Sequence, residues 1–411
     1  MIKVKDKSAC CGCVACVQIC PKQCISLDED KEGFLYPTVN RNLCIECGKC
    51  EAVCIELHSF EVREPLKVFA AQHFDESVRA ASSSGGIFTL LAETIINDGG
   101  VVFGARFDSD WSVVHDFTET HEGLQAFRGS KYLQSRIGNT YRQAEKFLKA
   151  GRKVLFSGTP CQIAGLKRYL HKDYENLLAV DFVCHGVPSP LVWKKYLEET
   201  IARQCEKNSV LLHFNPLISE RGSMAGIRKR KIDTICFRNK NLGWKKYSFA
   251  LTLSEVTTDG EKNTVLLSTI FPENEYMQAF LADFSLRPSC YACPAKGGKS
   301  GSDLTIGDFW GIEKIAPEID DDKGCSLVIV HTDKKVNRLS NNSILSEISL
   351  RQDPFKGNPS YYTSPYQPVN RAFFFSQFGK NGFCKAWKKT MSTKLQDRIL
   401  RKIYLNSATL L

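Results

Sequence analysis

Twelve of the eighteen cysteines in this 411-residue chain stand at spacings that metal chemistry uses. Eight form two runs, Cys10-x2-Cys13-x2-Cys16-x3-Cys20-Pro21 and Cys44-x2-Cys47-x2-Cys50-x3-Cys54. Thiolates are soft anionic ligands, and two short turns can deliver three of them to the corners of one iron–sulfur cube. The fourth cysteine of each run starts a helix pointing the other way, so it serves the other cube. The expected ligand sets of two 4Fe–4S clusters are Cys10, Cys13, Cys16 with Cys54, and Cys44, Cys47, Cys50 with Cys20. Zinc takes four ligands, commonly from paired C-x2-C units, and fits two complete four-cysteine runs poorly. Small residues at Gly12, Ala15 and Gly48 let backbone N–H groups approach the sulfurs, which helps set their potential. Ile55 stands in the second run where the first has Pro21. Cys11 and Cys24 fall outside the pattern and read as buried free thiols.

Four more cysteines bear on chemistry. Cys161 lies in Gly158-Thr159-Pro160-Cys161-Gln162, after an apolar run and before a helical one. Cys184 lies in Asp181-Phe182-Val183-Cys184-His185-Gly186, and Cys290-x2-Cys293 follows Arg287-Pro288-Ser289. Together they complete one four-thiolate set, for which zinc, unligated thiols and a third cluster fit the spacing equally. Cys205, Cys236, Cys325 and Cys384 are isolated and read as structural. Ser82-Ser83-Ser84-Gly85-Gly86 precedes a helix, an arrangement that suits a phosphate or an ordinary cap. Gly129-Ser130-Lys131-Tyr132-Leu133-Gln134-Ser135 suits a planar cofactor such as a flavin, or a surface loop. Asp308 and Trp310, after Leu304–Ile306, suit a redox pocket or a packed turn.

The elements that must position these residues follow from periodicity. The two N-terminal runs have the spacing of bacterial two-cluster ferredoxins and end near Ser59, with a linker over 60–68. Beyond it, strands at Val101–Phe107, Lys153–Phe156, Leu177–Val183, Leu304–Ile306 and Leu327–Val330 alternate with helices. The helices fall at Gly86–Asn97, Gln162–Leu170 and Leu191–Arg203. This alternation predicts an α/β domain with a mostly parallel sheet, with Cys161 and Cys184 at its carboxyl edge. Residues 205–270 are irregular and β-like, with a basic run at Arg228–Lys231. Lys385–Tyr404 reads as an amphipathic helix. The expected organisation is a ferredoxin-like module (1–60), a larger α/β domain (65–345) and a C-terminal extension (346–411).

Composition excludes several classes. No run of about 18 apolar residues is present, so no membrane span is expected. Met1–Asp6 lacks an apolar signal region, so the expected location is cytoplasmic and the cysteines are read as ligands rather than disulfides. The net charge is +10. Residues 1–62 carry seven basic and nine acidic residues, a net −2, which leaves +12 on the rest. Most of these charges read as solvated surface; the split also suits an acidic module docking on a basic body, and anionic partners for the latter. No nucleic-acid motif accompanies the charge, so nucleic acid is not an expected partner.

The ordered segments SSSGGIFTLL, GGVVFGARFD, RGSKYLQS, VLFSGTPCQIAGLK, VDFVCHGVPSP, RPSCYAC and LTIGDFWGI resemble the coenzyme F-420 hydrogenase/dehydrogenase beta-subunit family over roughly residues 65–335. The resemblance implies an FAD-dependent iron–sulfur oxidoreductase. Ser83, Ser84, Gly85 and Gly86 would contact FAD phosphates. Gly129, Ser130, Lys131, Tyr132 and Gln134 would lie along the flavin, and Cys161, Cys184, Cys290 and Cys293 would hold a third 4Fe–4S cluster. Lys131 or His185 would tune the flavin or carry a proton. The implied partners are a small redox substrate such as a deazaflavin coenzyme, and a ferredoxin or catalytic protein. The alternative is an electron-transfer adaptor without a substrate of its own, serving a separate catalytic protein, for instance in polysaccharide biosynthesis.

Overall fold

The computed structural model describes residues 1–207, 230–256, 262–333 and 343–392. They fall into two compact units. The first comprises residues 1–187, 243–245 and 286–365, and the second 188–242, 246–285 and 366–411. The segments 1–60 and 65–345 thus share one unit over most of their length.

The first unit begins with the short helix α1 (Ala15–Ile19), the antiparallel hairpin β1 (Ile25–Glu29) and β2 (Leu35–Val39), and α2 (Lys49–Ala52). Its sheet has eight strands in the order β13-β3-β12-β11-β7-β6-β4-β5. These are β3 (Lys67–His73), β4 (Val101–Phe107), β5 (Val113–Thr118), β6 (Val154–Gly158), β7 (Leu177–Phe182), β11 (Leu304–Asp308), β12 (Ser326–Val330) and β13 (Ser343–Glu347). Helices α3 (Glu76–Ala80), α4 (Ile87–Asn97), α5 (His121–Leu124), α6 (Thr140–Lys149), α7 (Pro160–Leu170) and α10 (Ile312–Ile315) connect them.

The expected mostly parallel sheet is corrected to a mixed one. Only β4–β6, β6–β7 and β7–β11 are parallel, while β4–β5, β11–β12, β12–β3 and β3–β13 are antiparallel. Parallel neighbours need a helical crossover, which α6 and α7 supply; β4 and β5 are joined by a tight loop at Asp108–Ser112, which forces antiparallel pairing. The linker expected over 60–68 is shortened, because Lys67 and Val68 already belong to β3.

The central strands are buried on both faces, so they read as unbroken apolar runs. Alternate residues sort to two cores. Val102, Leu155, Leu178 and Val180 pack with α4, through Leu90, Leu91 and Ile95. Val101, Phe103, Val154, Phe156, Leu177 and Ala179 pack on the opposite face with α6 and α7. Cys13, Val14, Ala15, Val53 and Ile55 of the cysteine runs join that second core. Each medium-sized apolar side chain buried there contributes roughly 1.5–3 kcal/mol.

The expectation that net charge docks the acidic module is therefore refined. Body arginines bond its carbonyl oxygens instead: Arg142 Nε donates to Gln18 O at 2.7 Å and Arg168 to Ser59 O at 2.9 Å. Ile55 is 2% exposed, so the position that departs from the first run is a packing residue.

The second unit holds helix α8 (Pro190–Lys207), a three-stranded antiparallel sheet of β8 (Arg230–Asn239), β9 (Ser248–Val256) and β10 (Lys262–Ile270), α9 (Glu275–Leu281) and α11 (Arg371–Ser392). The β-like expectation for 205–270 is met where residues are described. Its core is aromatic, with Trp193 against Phe237 and Tyr276 at 4.9 Å. Helix α11 begins well before Lys385 and breaks at Gly382 (φ 77°), where Glu199 accepts from the Phe383 and Cys384 N–H groups. Residues 393–404 of the expected amphipathic helix, Arg228 and Lys229 of the basic run, and the Cys205 side chain lie outside what is described.

Candidate metal and cofactor sites

The two cysteine runs repeat one local geometry. Gly12 and Glu46 follow the first cysteine of each run by two residues, and Val14 and Gly48 follow the second by one. All four are left-handed, with φ of 71°, 52°, 66° and 72°. Such turns present successive N–H groups to one side, a concavity suited to anionic sulfur. Valine and glutamate adopt this conformation only at a cost of roughly 1–2 kcal/mol each, which the surrounding fold must offset.

The fourth cysteine of each run lies near the other run. Cys20, Cys44, Cys47 and Cys50 line one cavity of about 370 Å³, with Cys24 beside them. Cys24 Sγ lies 3.4 Å from Cys20 Sγ. Ile2 N–H points at Cys50 Sγ, 3.3 Å away. Cys54 lies instead by the first run: burial pushes the Cys16 thiol up to about 12, with Cys10 and Cys54 adding to the effect.

The body cysteines converge too. Cys161 sits in the first turn of α7, which Thr159 and Gln162 cap reciprocally; Thr159 N–H donates to Gln162 Oε1 at 2.9 Å. Cys184 follows β7. A 3-10 turn at Pro288–Ala292 carries Cys290, and Cys293 closes it. All four line a cavity of about 380 Å³ with Cys11, His185 and Lys296. Burial pushes Cys290 and Cys293 up to about 12, and it contributes to raising Cys184. Cys161 is raised too, first by its contact with Cys11. Such thiols are neutral until a metal displaces their protons.

Among the described residues, no three His, Cys, Asp or Glu side chains close around a single ion. Sulfurs around zinc lie about 2.3 Å from the metal, hence close together, whereas a cube holds them farther apart. Thiols ringing an open cavity fit the cube better.

The serine–glycine segment and the Gly129–Gln134 loop meet. Ser83 Oγ accepts from Ser130 N–H at 2.7 Å and bonds Ser130 Oγ at 2.9 Å. Ser84 Oγ donates to Cys325 O at 2.8 Å. Gly85 is held against β3 and β12, where a Cβ would meet Ala71 O at 2.4 Å. Gly86 begins α4, whose first N–H groups have no side-chain cap. Lys131 Nζ donates to the carbonyls of Ala126, Arg128 and Gly129. Gln134 sits apart from that meeting point: its Nε2 donates to Cys11 O at 3.1 Å and its Oε1 accepts from Arg287 at 2.9 Å. His185 Nδ1 is 3.3 Å from Ser360 Oγ. Trp310 stacks on Trp244 at 4.7 Å, and Trp244 Nε1 donates to Asp308, so these two form a packed turn.

Residues 151–351 match the model of the carboxyl-terminal region of the coenzyme F420 hydrogenase/dehydrogenase beta subunit. Over this region, just under half of its length, the chain is similar to that family. A coenzyme F420-dependent sulfite reductase of Methanocaldococcus jannaschii is 25% identical over 47% of this chain and 30% of its own length. One of the subunits of the F(420)H(2) dehydrogenase of Methanosarcina mazei is 24% identical over 39% of this chain and 48% of its own. The chain therefore spans half or less of the length of these two relatives. A 7Fe ferredoxin of Hydrogenibacillus schlegelii is 48% identical over 40 residues, 10% of this chain and 45% of that one. A chain of the F420-reducing [NiFe] hydrogenase complex of Methanosarcina barkeri superposes with a TM-score of 0.40 at 15% identity, over 81% of this chain and 93% of that one.

Motif spacing points to the cysteines and misses two cations beside them. Arg287 is 1% exposed and Lys296 is buried. Arg287 was visible only as the start of the segment before Cys290. Lys296 stands three residues after Cys293, as Arg287 stands three before Cys290, and that symmetry is the signal available. Cys325 is buried, Cys236 exposed and Cys384 half-buried, and none of them lines either cavity. Among the described residues no helix is long and apolar enough to cross a membrane.

Proposed function

We propose that the chain is an iron–sulfur flavoprotein oxidoreductase that links two-electron chemistry of a small organic substrate to one-electron transfer with a partner protein. The observation that carries this reading is the convergence of Cys161, Cys184, Cys290 and Cys293 on one cavity that also reaches Cys11 of the N-terminal runs. Three thiolate sets thereby lie along one unit: the body set, Cys10/Cys13/Cys16/Cys54, and Cys20/Cys44/Cys47/Cys50.

FAD exchanges electrons in pairs or singly and a 4Fe–4S centre singly, which is what such a linkage requires. The residues do the positioning. The Ser83–Ser130 contact and the uncapped start of α4 offer N–H and hydroxyl groups to a phosphate-bearing cofactor. The Cys11–Gln134–Arg287 chain of hydrogen bonds fixes the first cysteine run against the body set. Cys47 is exposed at the far end, where a ferredoxin or catalytic partner would exchange electrons. The relatives' names support a deazaflavin coenzyme as the organic reactant. Lys131, committed to three carbonyls, is assigned to holding the Gly129 loop rather than to proton transfer.

The test is anaerobic purification followed by flavin extraction and mixing with reduced deazaflavin. Stoichiometric FAD and bleaching of the visible absorption are expected. Protein without flavin, fully loaded with iron, would leave only the adaptor role.

A further inference from the structure

Two cations lie buried beside the body site, and among the described residues no carboxylate pairs with them. Arg287 is 1% exposed and Lys296 7%. Elsewhere in the same unit, buried cations do pair: Arg79 with Asp321 at 2.6 Å, and Lys167 with Asp173 at 2.9 Å. The protons of Arg287 and Lys296 go to neutral groups instead. Arg287 donates from Nε to Cys10 O at 2.7 Å, from Nη1 to Gln134 Oε1 at 2.9 Å and from Nη2 to Leu35 O at 2.9 Å, and its guanidinium lies 4.3 Å from the Tyr36 ring centroid. Lys296 Nζ donates to Cys184 O at 2.5 Å and Ser360 O at 2.7 Å.

Carbonyls and rings orient a cation without neutralising it, and an uncompensated buried charge is strongly destabilising. Glu56 is a poor counter-charge for Arg287. Among the described residues it forms no ion pair with the guanidinium, and its Oε1 has no hydrogen-bond partner. What each cation does face is sulfur. Arg287 Nη2 is 3.7 Å from Cys10 Sγ, and Arg287 N-caps the turn that carries Cys290. Lys296 lines the body cavity itself. Four thiolates around a 4Fe–4S core carry net negative charge, and among the described residues thiolate ligation is the source of such charge common to both positions.

We infer that Arg287 and Lys296 are the counter-charges of the ligated thiolates, with Arg287 shared between the Cys10 set and the body set and Lys296 confined to the body set. This rests on the reading of the body cysteines as a cluster site. A cation in a low-dielectric setting favours the more negative, reduced form, so each raises the potential of the site it faces. Arg287 then ties the two potentials together. Transfer between the two sites moves one electron, makes and breaks no bond, and needs no proton, because the compensating charge is already in place.

The test is a redox titration of the intact protein, followed by electron paramagnetic resonance with iron counted in every sample. Arg287→Gln is expected to move two of three midpoint potentials negative, and Lys296→Met only one. Lys296→Arg, which keeps the charge, is expected to restore the unmodified value, as a merely structural role would not require. The Lys296 pair decides the matter even where Arg287→Gln loses iron. Full iron with unmoved potentials in Lys296→Met, or Lys296→Arg shifting as far as Lys296→Met, overturns the inference. Unmodified protein holding only about eight irons would instead overturn the cluster reading beneath it.

Discussion

The outer cysteine cavity and the body cavity are similar in size and ligand type and differ in everything around them. The outer one is lined by exposed Cys47, by the exposed Lys22, Glu46 and Lys49, and by Ile45, which is 58% exposed. The body one stands beside a two-sided apolar sheet, with buried cations and thiols raised in pKa. Solvent stabilises charge at the first, and fixed protein groups must do so at the second. The same four thiolates can thus serve exchange with a partner at one end and a tuned, water-poor step at the other.

Single-ligand variants should break the comparison most visibly. Cys290→Ala and Cys47→Ala should each remove about four of about twelve irons by chemical assay. Only Cys290→Ala should also lower the melting temperature markedly, because it leaves buried, uncompensated charge. A Cys47→Ala variant that destabilised the unit equally would erase the distinction.

Next in size is the apolar core against which Cys161 and Cys293 pack. Phe156 is fully buried between Phe103 and Tyr141, and Phe156→Ala should cost about 3–5 kcal/mol in urea unfolding. Leu43, 56% exposed beside the outer site, should tolerate serine within about 0.5 kcal/mol.

Acid should act on the body first. Burial depresses His115 to about 4; Nε2 faces Ser157 O at 3.0 Å and Nδ1 faces Ser135 Oγ at 2.9 Å, as a neutral ring requires. Its folded pKa lies below the unfolded value near 6.5, so its contribution is present above that value and lost as pH falls toward about 4. The loss should approach roughly 3 kcal/mol from this group. His115→Gln should flatten the pH dependence of the unfolding midpoint over that window. Asp181 and Glu56, raised by burial to about 6 and about 7, act in the opposite sense in both proteins, so the His115 contribution is read from the difference between the two profiles.

A modest effect is expected in the aromatic second unit. Gly382→Ala would set a Cβ 2.1 Å from Glu199 Oε1 at a left-handed position, and should cost about 1–2 kcal/mol without changing the iron content.

Much of this was legible beforehand, for identifiable reasons. Helix α7 declares itself through Thr159, Pro160 and Gln162, and strands β4, β6 and β7 through unbroken apolar runs. Cysteine spacing singled out the cysteines that line the two cavities. By contrast, β3 begins among charges that read as a linker, and β5 carries His115 and Asp116 on a loop without a glycine turn. Strand direction was hidden because α/β alternation describes the crossovers and not the edges. Arg287 and Lys296 escaped because a cation in sequence looks like a solvated one; only burial distinguishes them.

The most direct measurement is the iron and acid-labile sulfide content of anaerobically purified protein. Three thiolate sites predict about twelve of each per chain. About eight would mean that Cys161, Cys184, Cys290 and Cys293 hold no cluster, contradicting the account at its centre.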